Sequence, residues 1–169
     1  EEFDLARKDY QYCLDHAYAN SFVLEGMSKV MGHDAQLDSA LLYVNQSIEK
    51  DSASLSALEW KARVYYLLRD YDESARVYEI IINSSINPSP SLYLDASASW
   101  NACNNVTGDK RAIEILEEGI KRIGPLHIFY QELLHLLKDQ LKFEKAIEYS
   151  TILVEKSVNK ANPLAQRSV

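Results

Sequence analysis

The sequence predicts an all-α protein, an array of antiparallel helix pairs, and three observations carry that prediction. Chain breakers are sparse, with 5 Gly and 4 Pro in 169 residues, while Ala, Leu, Glu and Lys are plentiful. Apolar residues recur at helical spacing in run after run, as in Leu58, Ala62, Tyr65 and Leu68, with short polar stretches between. A small residue also returns in one phase at Ala6, Ala40, Ser74, Ala112 and Ala146, in steps of 34, 34, 38 and 34 positions.

Each element follows from this ruler. The first run, "FDLARKDYQYCL", carries Phe3, Ala6 and Tyr10 and has no helix before it. A run over 22–31 leads through "GHDAQ" into "LDSALLYVNQSI", with Leu37, Ala40 and Val44 in the same phase. The run over 55–68 turns at "RDYDE" into Tyr71, Ser74 and Tyr78. A run over 92–103 turns at "NNVTGD" into "DKRAIEILEEGI", with Asp109, Ala112 and Leu116. The last pair is 126–138 and "FEKAIEYSTILV", joined by "KDQLK". The one irregular step adds four residues, and the two prolines of "NPSPS" (87–91) place that insertion in a loop. Nine helices result, the first unpaired.

Packing gives the spacing its reason. A small side chain lets a neighbouring helix approach to about 8–10 Å, and Tyr10, Val44, Tyr78 and Leu116 fill the grooves around it. One hairpin cannot bury its apolar face alone. Stacking buries it against the next, so stability is roughly a sum over neighbours.

Composition removes several function classes. The net charge of −7 argues against a nucleic-acid backbone as partner. No apolar run approaches the roughly 20 residues that span a bilayer. Two cysteines, Cys13 and Cys103, exclude a disulfide framework and a cysteine-rich zinc site. Both fall at core spacing, where a thiol acts as a small hydrophobe. Three Asn-x-Ser/Thr triplets, at Asn45, Asn83 and Asn105, read as chance in an Asn- and Ser-rich chain. The chain opens at Glu1 without Met, as a processed protein or an excised fragment does. The compartment stays open: cytoplasmic or, after signal removal, periplasmic or secreted.

Chemistry-bearing residues do not converge. His135 has Glu132 three before it and Asp139 four after, near one helical face. A metal or hydrolytic centre needs more ligands and a pocket, and a solvated helix face is the simpler reading. No Gly-rich phosphate loop and no G-x-S-x-G occurs. The expectation is no enzyme, no catalytic residue, no metal and no cofactor.

The 34-residue helix–turn–helix unit resembles the tetratricopeptide repeat over about residues 3–158. Its best copy supplies Leu58, Ala62, Tyr65, Tyr71, Ser74, Tyr78 and Ile81, and "DYDES" is similar to the family's usual "DYDEA". Ser74 stands at the usual Ala and Lys61 at a usual Leu. Pentatricopeptide repeats, one residue longer, bind RNA, which the acidic charge disfavours; Sel1-like repeats are longer and richer in Gly.

The resemblance implies a right-handed α-solenoid of about 4.5 repeats. The units are 1–20 (a half repeat), 21–54, 55–91, 92–125 and 126–160, with 161–169 a tail or a cap starting near Pro163. It also implies a protein or peptide partner held in a concave groove lined by first helices. Transferred position by position, the groove residues are Glu25, Lys29 and His33; Glu59, Arg63 and Tyr66; Ser97 and Asn101; and Gln131, His135 and Lys138. Glu25 and Glu59 stand where the subclass that clamps chaperone carboxylates uses cations or amides, which disfavours that subclass. The alternative function is a ligand- or peptide-sensing module controlling an attached domain or self-association. The unpaired first helix would expose Phe3 and Tyr10, to be covered by an upstream segment or by a second copy in a homodimer.

Overall fold

The computed structural model describes residues 2–161, with side chains through residue 154. Among the described residues there are nine helices and no strand: α1 (Glu2–Asp15), α2 (Ser21–His33), α3 (Leu37–Lys50), α4 (Leu55–Leu67), α5 (Tyr71–Ser84), α6 (Pro90–Ala102), α7 (Val106–Ile123), α8 (His127–Asp139) and α9 (Phe143–Ala161). They group into two compact units, Glu1–Ile86 and Asn87–Val169. A capping helix near Pro163 lies outside the described residues.

Local signals set the boundaries. Asn20 Oδ1 accepts from the Val23 amide at 2.9 Å, Ser54 Oγ from Ala57 at 3.3 Å, and Asn105 Oδ1 from Gly108 at 2.9 Å. Each satisfies one amide that the first turn leaves without a helical partner. Pro90 opens α6, where a missing N–H costs nothing. The turns closing each helix pair share one device. Ala35, Arg69, Asn104 and Leu141 all have left-handed backbone, with φ of 59, 64, 50 and 56°. The Gln36 amide reaches Met31 O at 2.9 Å, Asp70 reaches Tyr65 O at 2.9 Å, and Lys142 reaches Leu137 O at 2.8 Å. These are Schellman closures made without glycine.

In the N-terminal unit, α1 lies on α2 through Tyr10. A Cβ added at Gly26 would stand 2.2 Å from Tyr10 Cζ, so the ring rests on bare backbone. Ser28 Oγ, fully buried, donates to Ala40 O at 2.6 Å and joins α2 to α3. Trp60 Nε1 donates to that same Ser28 Oγ at 2.8 Å, adding α4 to the joint. The core is Val23, Leu24, Met27, Val30, Ala40, Val44, Ala57, Ala62, Val64, Ala75, Val77, Tyr78, Ile81 and Ile82.

In the C-terminal unit, Ser97 Oγ donates to Ala112 O at 2.9 Å, the counterpart of the Ser28–Ala40 bond. Tyr93 of α6 meets Phe129 of α8 edge-on, centroids 6.0 Å apart. Gly119 of α7 permits this: a Cβ there would touch both rings at 3.1 Å. Gln140 donates to Asp109 O at 3.0 Å, and Tyr149 of α9 donates to Glu117 of α7 at 2.7 Å.

The small residues sit where packing demanded. Ala40, Ser74 and Ala112 are completely buried and Ala146 nearly so, while Ala6 is half-buried on a helix with one neighbour. Three expectations are corrected. The four extra residues do not all fall in "NPSPS". The Ser28–Ala40 bond spans 12 residues and the Ser97–Ala112 bond spans 15, so three of the four lie within the α6–α7 hairpin. There they form an added helical turn: α7 has 18 residues where α3 and α5 have 14, and Val106–Thr107–Gly108 is helix rather than turn. Tyr10 is half-buried on Gly26; the bare apolar side chains of α1 are Leu5 and Tyr12, 61% and 62% exposed, beside Phe3. Cys13 and Cys103 are half-buried rather than core residues.

Candidate functional site

The first helices of the N-terminal unit, α2 and α4, each keep one stripe outside the core. On α2 it runs through Phe22, Glu25, Lys29 and His33; on α4 through Ser56, Glu59, Arg63, Tyr66 and Leu67. The spacing is one helical turn per step, out of phase with buried Val23, Leu24, Met27, Ala57, Ala62 and Val64. Glu25 Oε1 accepts from Lys29 Nζ at 2.6 Å and from Ser56 Oγ at 2.5 Å, which ties the two stripes together. Burial pushes the Glu25 carboxyl upward, but the hydrogen bonds from Lys29 and Ser56 prevail and hold it below the usual carboxylate value.

Glu59 and Arg63 repeat the Glu25–Lys29 spacing, yet neither has a hydrogen-bond or ion-pair partner among the described residues. Tyr66 is 41% exposed, its ring edge-on to Tyr71 with centroids 5.0 Å apart. His33 is exposed and stacks on Phe3 at 3.8 Å, with Nδ1 3.4 Å from Asp34 Oδ1. All six residues assigned to the groove in this unit therefore sit on the outer face of a first helix, with Glu25 only partly exposed. Sequence reasoning missed three members, Phe22, Ser56 and Leu67, all exposed; each stands a turn beyond a selected residue.

The C-terminal unit departs more. Gln131, His135 and Lys138 are exposed on α8. His135 Nδ1 lies 3.3 Å from Asp139, an exposed pairing along one helix. Asn101 is half-buried. Ser97 is not a surface residue at all: it is fully buried and spends its hydroxyl on Ala112 O. The outer face of α6 instead carries Ser91, Asp95 and Ala98. Among the described residues no group of three or more His, Cys, Asp or Glu is placed to hold a metal ion. No described helix is long and apolar enough to cross a membrane.

This arrangement of helix pairs recurs in solved structures. A crystal structure of MamA matches with a TM-score of 0.74, over 94% of this chain and 91% of that one, at 18% identity. A MamA fragment (41-end) from Desulfovibrio magneticus RS-1 matches with a TM-score of 0.67, over 96% and 98%, at 13% identity. YrrB, described as a TPR protein with an unusual peptide-binding site, matches with a TM-score of 0.63, over 86% and 73%, at 13% identity. The fold is an α-solenoid of the tetratricopeptide-repeat class. No family model and no curated protein matches the sequence.

Proposed function

We propose that this chain is a non-enzymatic interaction scaffold that holds an extended segment of a protein partner on the outer face of α2 and α4. The observation that carries the reading is the Glu59–Arg63 pair of positions. Two opposite charges one turn apart on one helix are each left without a partner among the described residues. Such groups are available to backbone carbonyls, amides and charged side chains of a bound peptide. The face is anchored by secondary structure and by the Glu25–Ser56 bond rather than by loops, so little ordering entropy is lost on binding. YrrB, of the same fold, has a peptide-binding site by its own description.

The test is a binding screen of the purified chain against a library of unstructured fluorescent peptides, beside Glu59→Arg/Arg63→Glu. Peptides that bind the wild type and lose affinity for the exchanged chain, with circular dichroism unchanged, support the reading. Peptides that bind both forms equally place the site elsewhere and overturn it.

A further inference from the structure

The outer face of α2 and α4 is banded, and the order of the bands specifies a partner. Glu25 and Glu59 form an acidic row, and Lys29 and Arg63 form a cationic row one turn on. A further turn along stand His33 of α2, stacked on Phe3 of α1, and Tyr66 with Leu67 on α4. Among the described residues only the α4 members of the charged rows are unspent, because Lys29 and Ser56 already occupy Glu25. Along α4 a visitor therefore meets a free carboxylate, a free guanidinium and an apolar-aromatic patch.

The intervals match an extended chain. Glu59 to Arg63 and Arg63 to Leu67 are four residues each, about 6 Å at 1.5 Å per helical residue. Alternate side chains of an extended strand are about 6.6–6.8 Å apart on one face. Long side chains absorb the small difference.

We infer that the partner segment carries a basic residue, an acidic residue and an aromatic or large aliphatic residue at alternate positions, in either chain direction. The basic side chain meets Glu59, the acidic one Arg63 and the apolar one Tyr66 and Leu67. The C-terminal unit lacks this order: α6 offers Ser91, Asp95 and Ala98, and α8 pairs His135 with Asp139. The inference rests on the reading of this face as a peptide site.

The experiment uses fluorescein-labelled peptides with the cores Lys-Ser-Glu-Ser-Phe and Phe-Ser-Glu-Ser-Lys, and charge-exchanged controls Glu-Ser-Lys-Ser-Phe and Phe-Ser-Lys-Ser-Glu. Fluorescence anisotropy is read on wild type and on Glu59→Arg/Arg63→Glu. One of the first two peptides is expected to bind wild type about tenfold more tightly than its control, the size of two exposed charge contacts turned from attraction to repulsion. The exchanged protein is expected to reverse that preference. Binding without charge-order preference, or a preference the exchange leaves in place, overturns the inference while leaving a peptide site standing. No binding by any of the four, while other library peptides bind in an Arg63-dependent way, also overturns it. Failure of every library peptide removes the site itself.

Discussion

Replacing Ser28 by Ala tests the joint that links three helices. The hydroxyl donates to Ala40 O at 2.6 Å and accepts from Trp60 Nε1 at 2.8 Å, and it is fully buried. Losing the first bond costs about 1 kcal/mol, since Ala40 O keeps its place in the helical ladder. Losing the second leaves the half-buried indole N–H without its acceptor, about 1–2 kcal/mol more. Ala is the better helix former by roughly 0.5 kcal/mol, which offsets part of this. The net expectation is a loss of about 2 kcal/mol. The assay is urea unfolding followed by Trp60 fluorescence in a Trp100→Phe background, so that the signal reports the N-terminal unit. The variants Trp60→Phe and Ser28→Ala/Trp60→Phe close a cycle when all four forms are followed by far-UV circular dichroism, and a coupling of about 1 kcal/mol or more is expected between the two sites. A Ser28→Ala midpoint within about 0.5 kcal/mol of the parent, or a coupling near zero, refutes the account of the joint.

Two further perturbations test the turns and the charges of the C-terminal unit. Leu141 has left-handed backbone (φ 56°) and a largely exposed side chain, so Leu141→Gly relieves a strain of about 1–2 kcal/mol at small loss of burial. After the extra chain entropy of Gly, a gain of about 0.5–1 kcal/mol in urea unfolding is expected, and a loss refutes the strain. Burial first, and then the hydrogen bond to Glu117, raise the Tyr149 phenol above its ordinary value of 10.0. The folded state thus holds that proton more tightly than the unfolded chain. The stability it contributes is complete below about pH 10 and falls as pH rises further. Tyr149→Phe should flatten the decline of the urea midpoint above about pH 10, and an unchanged slope removes the assignment.

What the sequence revealed, and what it hid, follow from the physics of each element. Helix pairs were legible because burial imposes a period, and the period survives substitution of Ala by Ser at position 74. The added turn of α7 was hidden: Val106, Thr107 and Gly108 are poor helix formers and resemble a loop. Gly108 is there for closeness, since a Cβ would stand 2.4 Å from Trp100 O. Asn105 as a cap was the available signal. Ser97 was misplaced because the groove positions were carried forward in steps of 34, whereas the buried series Ser28, Ala62 and Ser97 steps by 34 and then 35, so Ser97 falls in the core and its hydroxyl is spent on an inter-helix bond. Its parallel with Ser28 shows only once both bonds are seen. The face of α2 and α4 followed from phase alone. Which of its charges are engaged did not, because Glu25–Lys29 and Glu59–Arg63 have identical spacing and only the first pair closes.

The outermost helix has its own consequence. No residue of α1 is fully buried, and it is held to its unit by the Tyr10 ring on Gly26 and by ion pairing of Arg7 with Asp34. A leaf hinged along one seam opens at less cost than the stem that bears it. Amide protons of α1 should therefore trade with deuterated solvent well ahead of those in α2, and the bulk of the unit need not loosen for them to do so.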